Sequence, residues 1–159
     1  MGKESIYVFD AYGTLFDIDS ACRNLEQKIG KNWLGFSTMW RQKQLEYSWI
    51  RNSMNSYISF WEITKNSLEY TLKEHNISDG NLKEELLKLY YKIDCYEEVE
   101  HFLTKLKKLN IKTCILSNGS FDMLNSAIIN SNLRNKIDKI LSVELCKKYK
   151  PSKDVYKLV

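Results

Sequence analysis

YVFDAYGTLFD, residues 7–17, decides the fold. An apolar run from Ile6 to Phe9 meets an aspartate, Asp10, and then a Gly13-Thr14 turn and a second carboxylate, Asp17. Ser5 to Phe9 reads as a short buried strand of a parallel sheet, because β-rich apolar runs bounded by turn residues have that signature. A strand ending on a carboxylate is a rigid mount for a reactive group, and it is equally a common turn arrangement.

Beyond the turn the pattern becomes helical. Ser20 is placed to cap a helix that carries Cys22, Leu25 and Ile29 on one face and closes at Gly30. Ser37 is placed to cap a longer helix through WRQKQLEYSWIRN. SFWE, residues 59–62, has the capping-box pattern, and SDGN, residues 78–81, is a turn leading into LKEELLKLYYK. Strands and helices then alternate. Val99, Phe102, Leu103, Leu106 and Leu109 form one helical stripe, with Asn110 as a left-handed stop. IKTCIL (111–116) is a strand that ends at Ser-Asn-Gly-Ser. Ser120 caps FDMLNSAIIN, KILSV (139–143) is a third strand, and Pro151 and Ser152 open a last helix. This order predicts an α/β protein: a Rossmann-like parallel sheet, residues 1–16 and 95–159, with a helical cap inserted at 17–94.

Composition narrows the function classes. The chain has 159 residues, 43% hydrophobic and 28% charged, with one proline, enough for a packed core and against disorder. The net charge of +4 is spread along helical stretches such as LTKLKKLN, which read as solvated faces and not as a nucleic-acid footprint. Cys22, Cys95, Cys114 and Cys146 form no CxxC pair, so neither zinc nor a disulfide framework is expected. No apolar run approaches a membrane span or a signal sequence, and the expectation is a cytoplasmic protein without membrane contact. His75 and His101 lack partners at metal-ligand spacing, so no metal or other cofactor is expected. Trp33, Trp40 and Trp49 read as packing within the cap.

Open parallel sheets bind ligands beyond the carboxyl ends of their strands. Asp10 follows the first strand, Ser117 and Asn118 follow the second, and Lys150 follows the loop after the third. A carboxylate paired with an ammonium is an available nucleophile, and the Asn118-Gly119-Ser120 turn at a helix start offers N–H groups to an anion. Each residue alone is ordinary turn or surface chemistry; the ordered set is the signal.

FDAYGTLFD, LSNGS and YKPSKDVY resemble the first three motifs of the haloacid dehalogenase superfamily. WRQKQLEYSWIRNSM and FWEITKNSLEY resemble cap segments of the bacterial 2-haloacid dehalogenases. The resemblance implies that Asp10 attacks the α-carbon of a 2-haloalkanoate and forms an aspartyl ester. Arg41 would face the site from the cap and draw off the halide, with Gln42 and Leu45 beside it. Ala11, Tyr12, Ser117 and Asn118 would hold the substrate, Phe60 would line the pocket, Thr14 and Lys150 would orient Asp10, and Tyr156 would support activity. In the magnesium-dependent phosphatases of the superfamily an aspartate stands two residues after the nucleophile and protonates the leaving group. Here that residue is Tyr12, which suits a halide, an anion that needs no proton.

The resemblance also implies a fourth motif with an acidic residue that activates water. The 159 residues do not contain it, which predicts slow ester hydrolysis and an incomplete core. A homodimer, common in the family, would cover the open sheet edge. Three readings follow: a 2-haloacid dehalogenase, a related hydrolase or phosphatase of another small substrate, or an inactive remnant.

Overall fold

The structure is a computed structural model that describes residues 6–159. Strand β1 (Ile6–Phe9) is followed by five helices: α1 (Ser20–Arg23), α2 (Glu26–Ile29), α3 (Trp33–Ser53), α4 (Phe60–Glu74) and α5 (Gly80–Tyr91). Helix α6 (Glu97–Lys108), β2 (Lys112–Ser117), α7 (Phe121–Asn130), β3 (Lys139–Ser142) and α8 (Lys153–Tyr156) complete the order. The three strands form one parallel sheet in the order β1-β2-β3, with Phe9 opposite Ile115 and Ser117 opposite Ser142. Parallel pairing requires the crossovers that α1–α6 and α7 supply. The carboxyl ends of all three strands therefore face the same side. Among the described residues no helix is long and apolar enough to cross a membrane.

Several local expectations hold for the stated reasons. Ser59 Oγ accepts from the Glu62 N–H at 3.2 Å, and Ser120 Oγ accepts from the Met123 N–H at 3.4 Å, each satisfying a donor at a helix start. Asp79 caps α5 through the Asn81 and Leu82 N–H groups. Gly30 (φ 97°) ends α2, and Asn110 (φ 54°) ends the turn after α6 in the left-handed region. The helical segment leaves and rejoins the sheet at one point: Asp17 N–H donates to Asp94 O at 2.8 Å, and Tyr96 N–H donates to Leu15 O at 3.1 Å.

Other expectations are corrected. Strand β1 is not buried: Ile6, Tyr7 and Val8 are 48, 45 and 39% exposed, because β1 pairs only with β2 among the described residues. Ser5, the expected first strand residue, lies outside the described residues. The single helix expected from Ser20 to Gly30 is broken at Asn24-Leu25 into α1 and α2. Ser20 lies inside the first turn, and its hydroxyl accepts from the Asp94 N–H at 3.4 Å. Helix α3 begins at Trp33, four residues before Ser37, whose buried hydroxyl instead donates to Asp19 Oδ1 at 2.6 Å. On α6 the stripe narrows to Val99, Leu103 and Leu106. Phe102 and Leu109 are 42 and 69% exposed, with the Phe102 ring edge-on to Phe9 at 6.1 Å.

Candidate active site

A cavity of about 620 Å³ opens at the carboxyl ends of the strands, where α3 and α4 lean over the sheet. It is lined by Asp10, Tyr12, Ser117, Asn118, Lys150 and Pro151 from the sheet side, and by Arg41, Leu45, Trp49, Asn52, Ser53 and Phe60 from the helices.

Asp10 is placed by β1 and left 41% exposed toward the cavity. Lys150 Nζ donates to Asp10 Oδ1 at 2.8 Å and to Leu116 O at 2.5 Å. The second carboxylate oxygen of Asp10 carries no hydrogen bond from the described residues. Asn118 Oδ1 accepts from the Lys150 backbone N–H at 2.8 Å, which ties the end of β2 to the lysine loop. Ser117 is buried, and its hydroxyl accepts from the Gly119 N–H at 3.0 Å, leaving its own proton to donate. Gly119 is required by its surroundings: a Cβ there would lie 2.7 Å from Tyr12 Cε2.

Tyr12 forms a wall of the cavity. Its ring stacks on Tyr90 with centroids 5.6 Å apart and planes 4° apart, and Phe60 lies 6.4 Å away. Burial pushes the Tyr12 phenol well above its usual pKa, with Tyr90 adding to the effect, so the ring stays neutral. Arg41 reaches from α3 to the loop after β1: its Nη2 donates to Tyr12 O at 3.0 Å and its Nη1 to Gln44 Oε1 at 3.3 Å. A carboxylate, an ammonium, a guanidinium and hydroxyl and amide groups thus share one largely apolar space.

Of the residues expected from the sequence, Asp10, Tyr12, Arg41, Leu45, Phe60, Ser117, Asn118 and Lys150 come together. Ala11 lies fully buried beneath the site, its carbonyl accepting from the Thr14, Leu15 and Phe16 N–H groups. That turn drives Leu15 and Phe16 inward and leaves Thr14 exposed. No described hydrogen bond joins the Thr14 side chain to Asp10. Gln42 is exposed and does not line the cavity, standing about 100° around α3 from Arg41. Tyr156 is 53% exposed on α8, where Val155 takes the inward position.

The sequence reading missed Trp49, Asn52 and Ser53 as lining residues, and Trp49 is 53% exposed and not packed. The signal was present: Arg41, Leu45, Trp49 and Asn52 follow one line along α3, at helical spacing. Gln44, the buried partner of Arg41, was also missed.

Residues 5–159 match the haloacid dehalogenase-like hydrolase family. The chain is 39% identical over 150 residues to (S)-2-haloacid dehalogenase 4A of Burkholderia cepacia, an alignment that covers 94% of this chain and 65% of that protein. A crystal structure of a dehalogenase superposes with a TM-score of 0.94 at 37% identity, over 98% of this chain and 69% of the other. The L-2-haloacid dehalogenase of Xanthobacter autotrophicus with chloropropionic acid covalently bound superposes with a TM-score of 0.87 at 35% identity, over 98% and 62%. The chain spans 65 and 66% of the length of two curated (S)-2-haloacid dehalogenases that it matches.

Proposed function

The chain belongs to the haloacid dehalogenase-like hydrolases, and on that footing we propose that it acts in hydrolytic dehalogenation of short-chain (S)-2-haloalkanoic acids to (R)-2-hydroxyalkanoic acids. The observation that carries this reading is the Asp10–Lys150 pair opening onto a cavity that Arg41 enters from the opposite wall.

The chemistry follows from the geometry. The free carboxylate oxygen of Asp10 attacks C2 of the substrate. A C–O bond forms as the carbon–halogen bond breaks, and the halide leaves with the bonding pair. Backside attack inverts C2. Arg41 meets the negative charge that develops on the halide. Ser117 Oγ and the N–H groups around Ala11, Tyr12 and Asn118 hold the substrate carboxylate, while Leu45, Trp49 and Phe60 enclose its alkyl part. Lys150 stays on Oδ1, which becomes the ester carbonyl oxygen, and polarises it. Water then adds at Asp10 Cγ, the hydroxyacid departs, and the carboxylate is restored. The net change consumes one water and releases one halide and one proton. Support from relatives is direct: the Xanthobacter enzyme carries chloropropionic acid covalently bound.

The reaction is proposed to need no metal, because Lys150 already neutralises Asp10 and Tyr12 stands where the phosphatases carry a carboxylic acid. The assignment of 1–16 and 95–159 as core and 17–94 as cap is likewise proposed; the adjoining crossings at Asp17–Asp94 and Leu15–Tyr96 support it, and limited proteolysis tests it. A homodimer is proposed from the apolar side chains exposed on α3 (Leu34, Ile50) and just beyond it (Met54), and from the edge of β1 left unpaired among the described residues, with sedimentation velocity as the test. A cytoplasmic location rests on four free cysteines, and cell fractionation tests it.

The function is tested by halide released per chain from (S)-2-chloropropionate without added metal, with Asp10→Asn as control. Release that requires Asp10 is the expected result. Absence of release from the folded chain, or hydrolysis of a phosphate monoester with magnesium instead, would overturn the reading.

A further inference from the structure

The helices carry a buried polar chain that the scheme above does not use. Gln44 lies fully enclosed on α3, just short of one turn past Arg41. A buried primary amide is costly unless its donors and acceptor are paired. Here the partners leave it one orientation. Arginine only donates, so the amide oxygen must face it, and Arg41 Nη1 lies 3.3 Å from Gln44 Oε1. The Tyr90 hydroxyl donates to the same oxygen at 3.1 Å. On the other side Gln44 Nε2 donates to Thr64 Oγ1 at 3.2 Å, and the Thr64 proton goes to Phe60 O at 2.8 Å. Tyr90 is itself fixed: its ring stacks on Tyr12 and packs against Trp40, with centroids 4.8 Å apart in the second pair. Since Arg41 Nη2 also donates to Tyr12 O, the contacts close into a ring: Arg41, Gln44, Tyr90, Tyr12 and back to Arg41.

We propose that Gln44, held by Tyr90 and Thr64, is a positioning residue for Arg41, fixing the guanidinium so that its remaining N–H groups face the departing halide. This rests on the dehalogenase reading given above. An arginine side chain has many rotamers, and freezing it beforehand removes an entropy cost from the transition state. The ring also joins the helix bearing Arg41 to the loop that follows Asp10, so the leaving-group donor and the nucleophile keep one spacing.

The test compares two leaving groups. The rate of the first halide released per chain is measured with (S)-2-chloropropionate and (S)-2-bromopropionate for the unaltered chain, Gln44→Met and Tyr90→Phe. Chloride is the poorer leaving group and depends more on the pull of Arg41. The expected result is a fall of about tenfold with the chloro acid, smaller than the loss of a direct donor, and a lesser fall with the bromo acid. The bromide-to-chloride rate ratio therefore rises. In an Arg41→Lys background, Tyr90→Phe no longer changes that ratio. Tyr90→Phe removes one oxygen and keeps both ring stacks, so a thermal melt close to that of the unaltered chain is expected. Equal slowing with both acids would reduce Gln44 to a structural role and overturn the proposal, as would unchanged rates. No halide from the unaltered chain with either acid overturns the dehalogenase reading, and this inference falls with it.

Discussion

Lys150 Nζ stands 2.8 Å from Asp10 Oδ1 across 140 residues of sequence, and the same ammonium donates to Leu116 O. One cation thus ties together the ends of β1 and β2 and the loop after β3. It fixes which carboxylate oxygen is held and which is free. Lys150→Met removes the charge and both bonds while keeping most of the stem. First-halide release should fall on the order of a hundredfold, the scale for losing one preorganised charge-stabilising group. A loss under threefold would show that Asp10 is oriented without Lys150.

Gly119 and the Tyr12 ring leave no room for a side chain at position 119. A methyl group at 119 would approach Tyr12 Cε2 to 2.7 Å and Leu124 Cδ2 to 3.2 Å. The Tyr12 ring has little room to retreat, being stacked on Tyr90. Gly119→Ala is expected to destabilise the fold by about 1–3 kcal/mol through overpacking and to reduce halide release by displacing the cavity wall. Urea denaturation and the halide assay read the two effects separately. An unchanged denaturation midpoint would mean that the ring yields freely.

Much of this site was legible because strand ends are legible. Asp10, Ser117, Asn118 and Lys150 each follow an apolar strand or its loop, and a parallel sheet gathers such positions on one side. The α3 residues were harder to place because hydrophobicity does not mark its buried stripe. Phe36, Trp40, Gln44 and Ser48 recur every fourth residue and are all buried, yet two of them are polar, while Trp49 and Ile50 are exposed. Reading apolar residues alone sets the helix at the wrong rotation. Gln42 was chosen for its closeness in sequence to Arg41, although the residue that bonds to Arg41 is Gln44. Strand β1 looked buried because its residues are apolar; its edge position among the described residues is a property of sheet order, which composition does not encode.

Asp138 makes a pH prediction with a definite sign. The Lys107 ammonium 2.6 Å away, with the Thr113 N–H and hydroxyl, holds its carboxyl down to about 2. An unfolded aspartate titrates near 4, at about 3.9. The folded value is depressed, so the stabilisation is present above about pH 4 and is lost as pH falls toward about 2. Urea midpoints between pH 6 and pH 2.5 should decline in this window. Asp138→Asn should lower the midpoint at pH 6 and flatten that decline. An equal decline in the variant would assign the acid sensitivity to other groups.

The loop that delivers Lys150 is clamped from the helices. Asn52 Oδ1 accepts from the Tyr149 N–H at 3.1 Å, and the Tyr149 hydroxyl donates to Ile58 O. The Tyr149 ring is buried against Tyr57 at 5.2 Å. Asn52 and Ile58 flank the turn between α3 and α4, so the position of Lys150 depends on helices that belong to the other side of the cavity. Asn52→Ala opens this link without touching Asp10 or Lys150. The Tyr149 amide loses its acceptor, a cost of about 1–3 kcal/mol if it stays buried, and is expected to exchange its hydrogen faster than in the unaltered chain. Halide release should slow several-fold as the ammonium loses its fixed place. Tyr149→Phe tests the second half of the clamp, since it deletes only the bond to Ile58 O. If amide exchange rises at Tyr149 while halide release stays constant, the Asp10 and Leu116 bonds alone hold Lys150, and the helices serve the cavity only as its wall.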